Sequence, residues 1–129
     1  MHILLDTCAL LWVAGDPAKL SSRARETLAQ PDAKLYVSSI SAFEISLKSR
    51  KGKLELPITP REWFSEAVSV FKIQEIPITS VVASLAPELP APMADPCDRM
   101  ILATAELLSM AVVTSDRRFR DYGAVKVIW

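Results

Sequence analysis

Short apolar runs alternate with helix-like segments along this chain, and this alternation limits the fold more than any other feature. Five runs have the length and the side chains of strands: residues 2–7, 35–37, 73–78, 111–114 and 125–129. Strands that alternate with helices favour a parallel sheet covered by helices on both faces. With the first strand at the centre, the sequence predicts a three-layer α/β/α fold whose parallel five-stranded sheet has the order 3-2-1-4-5.

Capping residues place the helices between these strands. Seven helices are expected, ending near residues 14, 28, 51, 71, 85, 109 and 122. Ser41 and Glu44 match the S-x-x-E capping box, which predicts that the third helix begins there. Asp95 before Pro96 is a typical start for the sixth helix. The closely spaced prolines between residues 87 and 96 predict a stiff, extended loop ahead of it.

Composition indicates one globular domain with no overall attraction to a charged partner. The chain has 129 residues, half of them hydrophobic, and a formal net charge of zero. This length suits a single domain over residues 1–129. The amino terminus lacks a basic leader, and no apolar run approaches the ~20 residues that a membrane span needs. We therefore expect a cytoplasmic protein with no membrane partner.

Two acids follow the first and fourth predicted strands. Asp6 closes the first strand, and Asp116 lies just past the fourth. The carboxyl ends of parallel strands share one edge of a sheet, and ligands bind there at the point where the strand order reverses. In the predicted order this point falls between strands one and four. The sequence therefore predicts that Asp6 and Asp116 lie close together.

Two further acids lie on the expected inward faces of helices. Glu44 shares a helical stripe with Phe43 and Leu47, and Asp98 lies on the apolar stripe of the sixth helix. Each acid falls in the first turn or so of its helix. The sequence thus predicts one crevice with four carboxylates: Asp6, Glu44, Asp98 and Asp116.

Clustered carboxylates predict a metal site. Buried together, they repel one another, and burial costs several kcal/mol each unless a cation or hydrogen bonds compensate. Ligands that are all oxygen favour Mg²⁺ or Mn²⁺ over zinc. Such an ion activates a water molecule and neutralises a scissile phosphate, with or without a second ion nearby. The acids therefore indicate metal-assisted hydrolysis of phosphodiesters.

Each acid also has an ordinary structural explanation. Asp6 suits a helix cap and Asp116 a turn. Glu44 completes the capping box and stands four residues before Lys48. Asp98 lies where the helix dipole favours a negative charge. The arrival of all four at one edge of one sheet favours the shared site.

The ordered motifs resemble those of a known family, the PIN-domain ribonucleases, and among them the VapC-like toxins of bacterial toxin-antitoxin pairs. The resemblance covers essentially the whole chain and rests on residues 4–7 (LLDT), 41–45 (SAFEI), 95–103 (DPCDRMILA) and 113–116 (VTSD). It implies a PIN-like fold and an endoribonuclease that acts as a toxin. It also implies an RNA substrate, a homodimer and a cognate antitoxin whose tail covers the active-site groove.

The resemblance assigns roles to individual residues. It implies that Asp6, Glu44, Asp98 and Asp116 form an acidic Mg²⁺ (or Mn²⁺) site, with Asp6 and Asp98 as the most direct ligands. Asp95 competes with Asp98, but it is better suited to capping the helix. A histidine that often precedes this segment in the family is replaced here by other residues. Polar positions that orient ligands or water match Thr7, Thr114 and Ser115.

Several other side chains have two interpretations that the sequence leaves open. Basic residues form one cluster after Glu44 and one after Asp116, and each is either solvated charge or an RNA-backbone contact. These clusters are Lys48, Arg50, Lys51 and Lys53, and Arg117, Arg118 and Arg120. Cys8 and Cys97 are expected to be buried, reduced thiols rather than metal ligands. The tryptophans are expected in the core or on a dimer surface: Trp12, Trp63 and Trp129.

Two other functions compete with the nuclease. A phosphatase of the haloacid-dehalogenase type also carries an aspartate after its first strand, but it needs a second acid two residues later, where this chain has Cys8. A noncatalytic module could use the same acidic pocket to bind a metal or a partner.

Overall fold

Five parallel strands form one sheet. In the computed structural model, which describes residues 1–129, they are β1 His2–Leu5, β2 Lys34–Ser38, β3 Gln74–Ile76, β4 Ala111–Val113 and β5 Val127–Ile128. Their order across the sheet is β3-β2-β1-β4-β5, which confirms the prediction. The strand order reverses between β1 and β4, where Leu5 is in register with Val113. The residues that follow these two strands therefore leave the sheet side by side.

Helices connect the strands and cover both faces of the sheet. They are α1 Thr7–Gly15, α2 Ser22–Leu28, α3 Ser39–Arg50, α4 Pro60–Val70, α5 Ser80–Leu85, α6 Pro96–Leu108 and α7 Arg117–Tyr122. Short 3-10 turns occur at Pro17–Lys19 and Ala86–Glu88. The second turn corrects the prediction of a wholly extended proline-rich loop, because the fixed φ of Pro87 also suits the start of a helical turn. None of the helices has the length and apolarity that crossing a bilayer requires.

Alternate residues of the central strands enter two separate apolar clusters. Ile3 and Leu5 belong to one cluster, which also contains Ile45 of α3. Leu4 belongs to the other, together with Ile101 of α6. These three side chains are fully buried, because a parallel strand covered on both faces has no solvent side, and only His2 at the start of β1 is exposed. The sheet is thus the middle of three layers, as predicted.

The start of α3 differs from the prediction. The helix begins at Ser39, and the Ser38 hydroxyl caps it by accepting a hydrogen bond from the Ile40 amide at 3.1 Å. Ser41 is not the cap, because its side chain is buried inside the helix and its hydroxyl lies 2.9 Å from that of Thr7. The capping box with Glu44 is therefore wrong, and Glu44 lies in the second turn.

The inward face of α3 also differs from the prediction. The helix buries Ser41 and Ile45, whereas Phe43 is 56% exposed and Leu47 is 38% exposed. The apolar spacing of Phe43 and Leu47 predicted the wrong face, since the small Ser41 fits more closely against the neighbouring α1. The tryptophans agree better with expectation. All three pack at the margin of the first cluster, and the rings of Trp12 and Trp129 have centroids 5.6 Å apart.

Candidate active site

Asp6 is a buried carboxylate with two hydrogen-bond donors. β1 ends at Leu5, and the Asp6 side chain caps α1 by accepting from the Ala9 amide at 2.8 Å. Its other oxygen accepts from the Thr114 hydroxyl at 2.5 Å. Burial raises the pKa of Asp6 to about 6, although both hydrogen bonds oppose the shift, and the charges of Glu44 and Asp116 add to it.

Thr114 links two of the acids. Its hydroxyl donates to Asp6 and accepts from the Asp116 amide at 3.0 Å. Thr114 is almost fully buried at the end of β4, so its side chain has one well-defined position. By contrast, the side chain of Ser115 is exposed and makes no hydrogen bond in the structure. Of the two polar residues here, Thr114 therefore orients a carboxylate and Ser115 does not.

Asp98 lies on the first turn of α6, beside the acid that caps the helix. Asp95 accepts a hydrogen bond from the Asp98 amide at 3.0 Å, which confirms its predicted capping role. The pKa of Asp98 is raised to about 6 by burial and then by the charges of Asp95, Glu44 and Asp116. The side chain of Asp98 is half-buried and lies 3.4 Å from the Arg118 guanidinium, whereas Asp95 is exposed.

Glu44 has one oxygen paired and one oxygen unpaired. Its Oε2 lies 3.3 Å from the Lys48 ammonium, as the spacing of four residues predicts. Its Oε1 is buried and has no hydrogen-bond partner. A buried carboxylate oxygen without a partner is costly, and native structures rarely contain one unless a ligand or an ion completes it.

Asp116 is paired with an arginine that also reaches Asp98. Asp116 caps α7, and the Arg118 guanidinium donates to both of its oxygens, with the shortest contact at 2.6 Å. The same guanidinium lies 3.4 Å from Asp98. These hydrogen bonds from Arg118 lower the pKa of Asp116 below its usual range.

The four acids lie close enough to affect one another but do not form a ready-made cluster. No three histidine, cysteine or acidic side chains converge closely enough to hold an ion as they stand. Lys48 and Arg118 instead pair with the carboxylates from two sides. The predicted ligand roles of Asp6, Glu44, Asp98 and Asp116 therefore stay predictions.

The composition of the site nevertheless fits a divalent cation. Its donors are all carboxylate oxygens, the preferred ligands of Mg²⁺ and Mn²⁺. Glu44 Oε1 lacks any partner, and burial, with the neighbouring carboxylates adding to it, raises the pKa values of Asp6 and Asp98. An additional positive charge would relieve both features.

The two cysteines flank the site. Both are free and only half-buried, so the expected full burial is wrong. Burial raises the pKa of each thiol, to about 11 for Cys97. Both thiols are therefore protonated at neutral pH in the metal-free protein. That the cysteines are not metal ligands stays a prediction.

Comparison with known proteins shows the family. A family model described as the PIN domain matches residues 3–125. The chain belongs to the PIN-domain family. Ribonuclease VapC22 of Mycobacterium tuberculosis is 32% identical over 121 residues, which cover 93% of this chain and 91% of that protein. This identity over nearly the full length places the chain in the VapC branch of the PIN-domain family.

Solved structures show the same PIN fold. VapBC2 from Rickettsia felis, bound to a DNA fragment from its promoter, superposes with a TM-score of 0.70 and 15% identity, covering 98% of this chain and 97% of that one. A toxin-antitoxin complex from Klebsiella pneumoniae gives a TM-score of 0.58 and 20% identity, covering 95% and 94%. At sequence identities of 15% and 20%, the similarity to these structures shows the fold alone.

Sequence reasoning missed two arginine contacts of this PIN domain. The sequence analysis places Arg118 only in a basic cluster. An arginine two residues after a capping aspartate is nevertheless long enough to fold back and pair with that aspartate. Arg99 holds the proline-rich loop, because its guanidinium donates to a ring of backbone carbonyls. These belong to Ala86, Pro87, Leu89, Ala91 and Met93. The sequence does carry a signal for this role of Arg99, because the helix dipole disfavours a positive charge in the first turns of a helix.

Proposed function

We propose that this protein is the endoribonuclease toxin of a toxin-antitoxin pair and that it hydrolyses RNA phosphodiester bonds with Mg²⁺ or Mn²⁺. The observation that carries the proposal is the buried Asp6 carboxylate at the reversal of strand order. It is joined through Thr114 to Asp116 and lies within the electrostatic reach of Glu44. Membership of the PIN-domain family and the relation to a VapC ribonuclease support the same reaction.

Asp6 and Asp98 are the most direct of the proposed ligands, and Glu44 and Asp116 complete the set. A divalent cation held there supplies the positive charge that activates a water molecule and neutralises the scissile phosphate. The chain's own contribution is orientation. Ala9 and Thr114 each hold one oxygen of Asp6, and each oxygen keeps a free lone pair for a further partner.

Exposed basic residues beside the acids suit an RNA backbone. Lys48 and Arg118 lie at the carboxylates, and Arg117 and Arg120 project from α7 into solvent. Contacts between such side chains and phosphates give affinity without selecting a base sequence. The neutral overall charge therefore does not conflict with an RNA substrate, because the positive charge is local.

An antitoxin and a second copy of the chain are the proposed protein partners. The toxin-antitoxin complexes among the structural neighbours support an antitoxin. The exposed Phe43 and Leu47 of α3 form an apolar surface of the kind that protein partners cover. A phosphatase of the haloacid-dehalogenase type is disfavoured, since Cys8 occupies the position of its second acid.

The test is cleavage of total cellular RNA by the purified protein with EDTA, Mg²⁺ or Mn²⁺. We expect cleavage only with a metal, and its loss in Asp6→Asn, which keeps the shape of the carboxyl group without its charge. Asp32→Asn is the matched control, because Asp32 is an exposed aspartate in the turn before β2. Absence of cleavage by folded wild type with every metal would contradict the nuclease and favour a noncatalytic metal-binding module.

A further inference from the structure

Arg118 occupies the mouth of the acidic site. Its Nε and Nη2 atoms donate to the two oxygens of Asp116, and Nη2 also lies 3.4 Å from Asp98. Its Nη1 atom makes no hydrogen bond with the protein, and the side chain is 47% exposed. The guanidinium therefore bridges acids from two different elements while one of its edges faces solvent.

The bridge has an electrostatic reason. The charges of Glu44 and Asp116 act both on the buried Asp6 and on Asp98, and like charges that interact in this way repel one another. Lys48 balances the side of the site formed by α3, and Arg118 balances the side formed by α6 and α7. The arginine thus supplies the positive charge that would otherwise have to come from a bound ion.

We propose that Arg118 competes with the divalent cation for Asp98 and Asp116, and that once displaced it binds the RNA phosphate next to the cleaved bond. This inference rests on the proposed nuclease function for its RNA step, but its metal step does not. A guanidinium matches a phosphate as well as it matches a carboxylate, since both accept two parallel N–H bonds. Arg118 would therefore exchange the two carboxylate oxygens of Asp116 for two oxygens of the RNA phosphate.

The opposite role makes the opposite prediction. If Arg118 merely oriented Asp116 as a ligand, its removal would weaken metal binding. If it competes, its removal tightens metal binding, because one positive charge leaves the site. The sign of the change in metal affinity therefore separates the two roles.

The metal step is tested by titrating Mn²⁺ into Arg118→Gln, Arg117→Gln and wild type and measuring free Mn²⁺ by electron paramagnetic resonance. Arg117 is the matched control, because it is an exposed neighbour that contacts no carboxylate. We expect Arg118→Gln to bind Mn²⁺ about fivefold more tightly than Arg117→Gln at low salt, with a smaller difference at high salt. Equal or weaker binding by Arg118→Gln would overturn the proposal.

The RNA step is tested by fluorescence anisotropy with a labelled RNA oligonucleotide whose integrity is checked on a gel. Ca²⁺ replaces Mg²⁺ as an oxygen-binding ion. With Ca²⁺ we expect Arg118→Gln to bind RNA about fivefold more weakly than Arg61→Gln, which removes an exposed arginine of α4 that makes no hydrogen bond, and with EDTA we expect the two to bind alike. If Arg118→Gln bound RNA more weakly than the control variant by the same factor with Ca²⁺ and with EDTA, or if the two variants bound alike in both conditions, the proposed exchange would be overturned. If wild type bound no RNA, the RNA step would fail with the proposed function, while the Mn²⁺ result would still decide the competition.

Discussion

Thr114 donates a hydrogen bond of 2.5 Å to Asp6 and so joins the carboxyl ends of β4 and β1. The two residues are 108 positions apart in the chain, and both are buried. The bond favours the ionised form of Asp6 and opposes the effect of burial on its pKa. The reversal of strand order thus places a neutral hydroxyl donor beside a buried carboxylate.

Thr114→Val should destabilise the protein more at pH 8 than at pH 5. Valine has nearly the same shape but lacks the donor, so the pKa of Asp6 rises further above 6. A hydrogen bond to a charged group contributes about 1.5–3 kcal/mol, which is more than one to a neutral group. Urea unfolding in EDTA at the two pH values measures the difference.

Thr104→Val is the control for this substitution. Thr104 is equally buried in α6, but its hydroxyl donates to the neutral Met100 carbonyl. Its loss should cost about the same free energy of unfolding at both pH values. Identical pH behaviour of the two valine variants would show that the Thr114 bond does not depend on the charge of Asp6.

The stability of the metal-free protein should fall as the pH rises from about 4 to 7. Asp6 binds its proton more tightly when folded, since its pKa is raised from 3.8 to about 6, so protonation favours the folded state. The contribution is fully present below pH 4 and is lost as the pH rises through 6; it amounts to about 2–3 kcal/mol. The raised pKa of Asp98 acts in the same direction.

Asp6→Asn tests this pH dependence. The variant cannot ionise at this position, so its free energy of unfolding in EDTA should fall less between pH 4 and 7 than that of wild type. Asp32→Asn should keep the wild-type slope. A slope in Asp6→Asn equal to that of wild type would refute the assignment.

Arg99→Lys should destabilise the loop between α5 and α6. Lysine keeps the charge but has no planar fork, so several of the carbonyls that Arg99 serves lose their donor. We expect a loss of about 2–4 kcal/mol and faster proteolysis within residues 86–95. Arg61→Lys, at an exposed arginine of α4 without hydrogen bonds, should change neither. Equal proteolysis of the two variants would exclude a role for Arg99 in holding the loop.

Phe43→Ala tests the orientation of α3, and Phe64→Ala, at a buried phenylalanine of α4, is the comparison. Phe43 is 56% exposed, so its truncation should cost less than about 1 kcal/mol. Phe64 is 7% exposed, and its truncation should cost about 3–5 kcal/mol. Urea unfolding of both variants gives the comparison. A large loss in the free energy of unfolding of Phe43→Ala would contradict the exposed position of Phe43 and support the inward face that the sequence predicted.

The sheet order was predictable because local signals and topology agree. Apolar runs, proline positions and the cap at Asp95 mark element boundaries that the structure has. The start of α3 was not predictable from the same rules, since Ser38, Ser39 and Ser41 all suit a cap. Packing against Thr7 decides among them, and packing between distant residues is not visible in a local pattern.

The convergence of Asp6 and Asp116 was also predictable, but the contact between Arg118 and Asp98 was not. The carboxyl ends of β1 and β4 lie at one edge of the sheet, as expected. An ion pair within one helix follows from a spacing of four residues, whereas a pair between two helices depends on side-chain reach. The contact between Arg118 and Asp98 joins residues on two different helices, and nothing in the spacing of the chain indicates it.

The Mg²⁺ dependence of single-turnover RNA cleavage in Asp98→Asn and Asp95→Asn tests whether Asp98 is a metal ligand. Both lie in the first turn of α6 or at its cap, and asparagine caps a helix as well as aspartate does, so both variants should fold. We expect Asp98→Asn to lose about 100-fold or more in cleavage rate at any Mg²⁺ concentration tested and Asp95→Asn to stay near the wild-type rate. Loss of cleavage in Asp95→Asn with a near-normal rate in Asp98→Asn would contradict the assignment of Asp98.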